Sequence, residues 1–157
     1  MINILSEALN KKVRILNEIM ELCLEQENCL KTETPNVDRF SECIDEKVSL
    51  SKEIEKIDEG FISVYERVKE DLEQNKDTYA EEIRSIKQLI KTVSERTNSI
   101  RVKEDRLSAD FKTKVSAGTI SGIRPGAGRS SVAQKYAQTM QGSSAGAGGA
   151  TFINKMQ

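Results

Sequence analysis

Residues 79–111, YAEEIRSIKQLIKTVSERTNSIRVKEDRLSADF, repeat in sevens. Tyr79, Ile83, Ile86, Ile90, Val93, Ile100, Leu107 and Phe111 form one stripe at alternating steps of four and three. Thr97 and Glu104 fill the two remaining stripe positions. Between them lie Glu81, Glu82, Arg84, Lys87, Lys91, Glu95, Arg96, Arg101, Lys103, Asp105 and Arg106. This pattern predicts a helix of about nine turns with one narrow apolar seam and a charged remainder. So narrow a seam buries little by itself, so it requires partner helices.

The preceding residues supply two. The first helix is predicted from about residue 2 to about residue 31. Its stripe is Ile2, Leu5, Leu9, Leu16, Met20, Cys23 and Leu30, widened by Val13, Ile19 and Leu24. Thr34-Pro35 ends it, because a residue before proline avoids the helical region. Proline then suits the first position of the next helix, with Thr34 as its cap. So short a turn predicts an antiparallel pair.

The second helix is predicted from about residue 35 to about residue 74. Its seam reads Val37, Phe40, Ile44, Ile54, Phe61, Tyr65, Val68 and Leu72, interrupted by Lys47, Ser51 and Asp58. Leu50, Ile57 and Val64 broaden one side. Gly60 is a weak point inside this helix, less favourable than alanine by ~1 kcal/mol. Residues 73–78 contain neither glycine nor proline, so the heptad can run straight through from Leu72 to Tyr79 as one rod over 37–112. A turn is the preferred reading. Asn75 or Asp77 can cap a new helix whose first turn carries Glu81 and Glu82. The expected fold is therefore all-α: three long antiparallel helices in a coiled-coil-like bundle over residues 1–115.

Residues 116–157 differ in character. They hold eight of the nine glycines, and no Asp or Glu follows Asp110. Lys112, Lys114, Arg124, Arg129, Lys135 and Lys155 give residues 112–157 a charge of +6, leaving −7 on residues 1–111 of a chain whose net charge is −1. A Gly/Ser/Ala-rich basic tail, flexible or folding on binding, is expected here. Within it Val132, Tyr136 and Met140 recur every fourth residue, as in a short amphipathic helix. Phe152, Ile153 and Met156 form a second apolar island. Both are candidates for contact with a partner or with the chain's own helices.

Composition argues against catalysis. There is no histidine, which removes the commonest general base and zinc ligand. No phosphate-binding glycine loop, GxSxG, HExxH or EF-hand loop is present. The carboxylates are spaced as on solvated helix faces, so a non-enzyme without cofactor or metal is expected. The three cysteines, Cys23, Cys29 and Cys43, form no CxxC and read as ordinary helix residues of a cytoplasmic protein. No signal peptide is apparent and no apolar run approaches the ~20 residues that span a bilayer. The tail's spread-out charges and two aromatics make a thin footprint for nucleic acid.

The residues quoted so far resemble the FlgN family of flagellar type III export chaperones. The likeness is carried by Leu16, Ile19, Met20, Leu24, Glu27 and Leu30. It continues through Val37-Asp38, Phe40, Glu46-Lys47, Leu50, Glu53-Ile54, Ile57-Asp58, Phe61, Tyr65 and the helix from Tyr79. It covers roughly residues 1–115. The resemblance implies a small cytoplasmic helical chaperone. Such a protein would bind the C-terminal helical segments of hook-associated proteins, prevent their premature assembly and deliver them to the export apparatus. The family's client-binding region lies toward the C-terminus. On this chain that implies Ile100, Leu107 and Phe111, together with Val132, Tyr136, Met140, Phe152 and Ile153 of the tail. The tail is longer and looser than in enterobacterial members. Seam residues up to Val93 are expected to pack on the first two helices. Past Ile100, packing and client contact stand level. The alternative is a structural coiled coil whose seams form a homodimer, with the tail as a tether.

Overall fold

A computed structural model describes residues 1–118. It contains three helices: α1 (Ile2–Lys31), α2 (Val37–Gln74) and α3 (Ala80–Ser116). At 1.5 Å per residue they are about 45, 57 and 56 Å long. Both α2 and α3 pack along α1, and the turns make α2 antiparallel to its neighbours, so α1 and α3 run parallel. The all-α bundle is thus as expected, and the turn divides what could have been a single rod. Among the described residues, no helix is long and apolar enough to cross a membrane.

The ends of the helices explain where they start and stop. The cap of α2 is Asn36, not the expected Thr34: its side-chain oxygen accepts a hydrogen bond from the Arg39 N–H at 3.1 Å. Pro35 stays outside the helix. The Asn36 N–H instead reaches back to the Cys29 carbonyl at 3.1 Å, so the turn bonds onto the end of α1. Asn75 closes α2 rather than opening α3. Its backbone N–H and side-chain amide both donate to the Asp71 carbonyl. Tyr79 precedes α3, and its hydroxyl donates to the Asp71 carboxylate at 3.0 Å, which ties the two sides of the turn together. At the far end Gly118 has φ +73°, a left-handed conformation that stops the helix at little cost for a residue without Cβ.

Cross-helix pairs fix the register. Lys12 pairs with Asp58, Cys23 with Glu104, Lys47 with Glu104, and the Phe40 ring stacks on Phe111. The α1 seam that these contacts define is Leu5, Leu9, Lys12, Leu16, Ile19, Cys23, Gln26 and Leu30. It differs from the expected stripe. Lys12 and Gln26 belong to it, while Leu24 is 45% exposed. One step along α1 is matched by one step backward along α2 and one forward along α3. The register puts Leu30, Phe40 and Phe111 at one level, Gln26, Ile44 and Leu107 at the next, and Cys23, Lys47 and Glu104 at the third. Further along lie Ile19 with Ile100, Lys12 with Asp58 and Val93, and Leu9 with Phe61 and Ile90. The apolar residues among these share one core.

α2 continues unbroken through Gly60, so the weak point in the sequence is no break. A methyl group added there would meet nothing within 4 Å.

Candidate functional site

Ile100, Leu107 and Phe111 are 7%, 2% and 8% exposed. They belong to the bundle core and present no surface to a partner in this form. α3 runs about one turn past the end of α1, but Ile100, Leu107 and Phe111 all lie before that point, level with α1 and α2. Val132, Tyr136, Met140, Phe152 and Ile153 lie outside the described residues.

The most unusual chemistry is internal. Lys47 and Glu104 occupy seam positions of α2 and α3 and form a buried ion pair. Cys23 of α1 donates its thiol hydrogen to the same carboxylate oxygen at 3.3 Å. Each helix contributes one member to this layer. Burial pushes the Cys23 thiol up to about 12, with the nearby Lys47 ammonium opposing and Glu104 reinforcing the rise. A thiol so protonated is a poor nucleophile and metal ligand. Burial likewise raises Cys43, to about 11, and Cys29. All three cysteines are free and buried. No group of side chains able to hold a metal occurs among the described residues.

One turn away, Gln26 is fully buried. Its amide donates to the Phe40 carbonyl at 3.1 Å, while its own oxygen has no partner among the described residues.

Two charged clusters decorate the same end. The Arg39 guanidinium forms a two-pronged pair with Glu25 of α1, at 2.6 and 2.9 Å, and also reaches Glu42 and Glu46. Arg39 holds the Glu25 carboxyl below its usual range. Lys103 of α3 pairs with Glu27 of α1 and is the main reason that Glu27 is lowered, with Lys31 assisting.

Among the described residues a groove runs between α1 and α2 in two stretches, with the buried Ile15 between them. Its lining falls at one step before the seam on each helix: Ile4, Ala8, Lys11, Glu18, Leu22 and Glu25 on α1, and Glu46, Leu50, Ile57, Gly60 and Val64 on α2. Glu27, which meets α3, lies on the opposite flank of the α1 seam, so the groove faces away from α3. Its two halves differ. Near the start of α2 it is acidic, with Glu18, Glu21, Glu25 and Glu46 around Leu22 and Leu50. Toward the end of α2 it is mainly apolar, with Ile4, Ala8, Ile57 and Val64 over a floor of Leu5 and Phe61. Leu50, Ile57 and Val64 were visible in the sequence as a broadening of the α2 stripe. That they face α1, and leave a groove there, depends on helix pairing.

No family model, curated protein or solved structure matches the chain. Over its described residues the chain is a three-helix bundle with a buried ionic layer and a surface groove between α1 and α2.

Proposed function

We propose that this chain is a flagellar export chaperone of the FlgN kind. It holds the C-terminal helical segment of a hook-associated protein in the cytoplasm, prevents premature assembly and presents the subunit to the export apparatus. The observation that carries this reading is the resemblance of residues 1–115. Leu16, Ile19, Leu30, Phe40 and Phe61 lie in the core, while Glu46 and Glu53 lie on the surface. A charged bundle whose seams are paired within one chain suits a protein that must stay unaggregated while carrying an apolar client. The same pairing leaves the alternative, a homodimer through those seams, with no observation in its favour.

Client contact at Ile100, Leu107 and Phe111 requires the end of α3 to part from Leu30 and Phe40. Only two layers, those of Phe111 and Leu107, lie between that end and the ionic layer. Replacing Leu107 and Phe111 by Asp would therefore disturb folding as well as binding and cannot serve as a clean test. The direct test uses the intact chain. A purified hook-associated protein is placed under conditions in which it self-associates, and light scattering is followed. An equimolar amount of this chain should suppress the rise, with a 1:1 complex in solution. Unchanged scattering would contradict the reading.

A further inference from the structure

The α1/α2 groove offers an apolar stretch and an acidic stretch on one face of the bundle. We propose that residues 130–141 of this same chain seat there, with Val132, Tyr136 and Met140 on its apolar half and Arg124 and Arg129 alongside its acidic half.

The place where the chain leaves α3 favours this occupant. Phe111 stacks on Phe40, so Ser116 and Gly118 lie beside the start of α2, at the acidic end of the groove. From the level of Gly118, seven residues past Phe111, to that of Ile57 is 24 residues of helix, about 36 Å. Residues 118–129 can span up to about 40 Å when extended. The chain therefore reaches the start of the apolar half when residues 118–129 are close to fully extended.

Order and charge agree as well. Moving away from α3, the groove presents Glu18, Glu21, Glu25 and Glu46, and then Ile57, Gly60, Val64, Ala8 and Ile4. Along the chain, Arg124 and Arg129 come first and the apolar repeat second. Basic residues thus meet the acidic half, and apolar residues meet the apolar half. Arg39 already compensates Glu25 and Glu46, so Glu18 and Glu21 are the carboxylates toward which the arginines are drawn. Gly60, bare of side chain and open above, lets a crossing helix approach closely. Twelve residues are too few for a stable isolated helix, so the groove and helix would form their contacts together. Tethering gives the segment an effective concentration in the millimolar range, which favours it over a second copy in dilute solution.

The inference does not rest on the chaperone reading, since the contact forms whether or not a client exists. The test places p-benzoylphenylalanine at Tyr136 of the full chain, irradiates a dilute sample and maps the adducts by mass spectrometry. Intramolecular adducts at Ile4, Ala8, Ile57 or Val64 are expected. Adducts confined to α3, adducts between copies, or none at all would overturn it. A second reading compares hydrogen exchange of the full chain with that of Val132→Asp/Tyr136→Asp/Met140→Asp, whose changes lie outside the described residues. Amides of residues 57–64 should exchange roughly fivefold faster or more in the variant, with those of 86–93 unchanged. Equal rates at 57–64 would also overturn it.

Discussion

Lys47 of α2 and Glu104 of α3 meet in the interior of the bundle as an ion pair whose side chains are 1% and 3% exposed. Two opposite charges interrupt two mainly apolar seams at the same level. Lys12 and Asp58 repeat the device nearer the other end, with more access to water. A buried pair recovers little beyond its desolvation penalty, but a shift of either helix by one heptad would strand both charges. These interruptions thus set the register of the helices more than they set the stability.

Single and double replacements at this layer should behave oppositely. Lys47→Ala or Glu104→Ala leaves a charge without its buried counterpart and should destabilise the fold by about 3–5 kcal/mol. Lys47→Leu/Glu104→Leu should be near neutral, or more stable by about 1–4 kcal/mol. Urea midpoints for the four proteins give the comparison. A double variant as unstable as the singles would show that packing, not charge, governs the site.

The raised thiols predict loss of stability in alkaline solution. Cys23 is raised from 9.0 to about 12 and Cys43 from 9.0 to about 11, in both cases chiefly by burial. Unfolded thiols release protons near pH 9 while the folded ones keep them. Their contribution is complete below about pH 9 and is lost as pH rises from there toward 11–12. Melting temperatures between pH 8 and 10.5 should therefore fall more steeply for the wild type than for Cys23→Ala/Cys43→Ala. Parallel slopes would contradict the assignment. At pH 8 a thiol-reactive dye should label the folded chain slowly and the guanidinium-unfolded chain at all three cysteines.

Gly60→Ala should raise stability by about 1 kcal/mol, since the position is helical and a Cβ there enters open space. Thermal melts of the two proteins decide this. A lower melting temperature would mean that α2 is distorted at Gly60.

Asn36→Ala removes the oxygen that accepts the Arg39 N–H and should cost about 1 kcal/mol. Thr34→Ala should have a smaller effect, because the Thr34 carbonyl, not its side chain, takes part in the turn by accepting from Thr32. The opposite ranking in denaturant unfolding would restore Thr34 as the cap.

The three helices and the α2 and α3 seams were legible in the sequence because heptad spacing is a property of one helix at a time. Lys47, Ser51 and Asp58, together with Thr97 and Glu104, were already recognisable as seam positions. Their partners were not, since pairing depends on how two helices slide past each other. Lys12 and Gln26 were missed for a related reason: polar residues carry no apolar signal and enter a seam only when a neighbour receives them. The cap moved from Thr34 to Asn36 because the turn bonds back to Cys29, a tertiary contact. Ile100, Leu107 and Phe111 read equally well as core or as contact surface until the levels of Leu30 and Phe40 were known. The groove was the least legible feature, because it is a space left between two helices and not a pattern within either.

The most direct measurement of the functional claim is co-purification of the full chain with each hook-associated protein, intact and lacking its last helical segment. The account predicts a 1:1 complex with at least one intact protein and its loss when that segment is removed. A failure to retain any of them, or retention that ignores the segment, would contradict it.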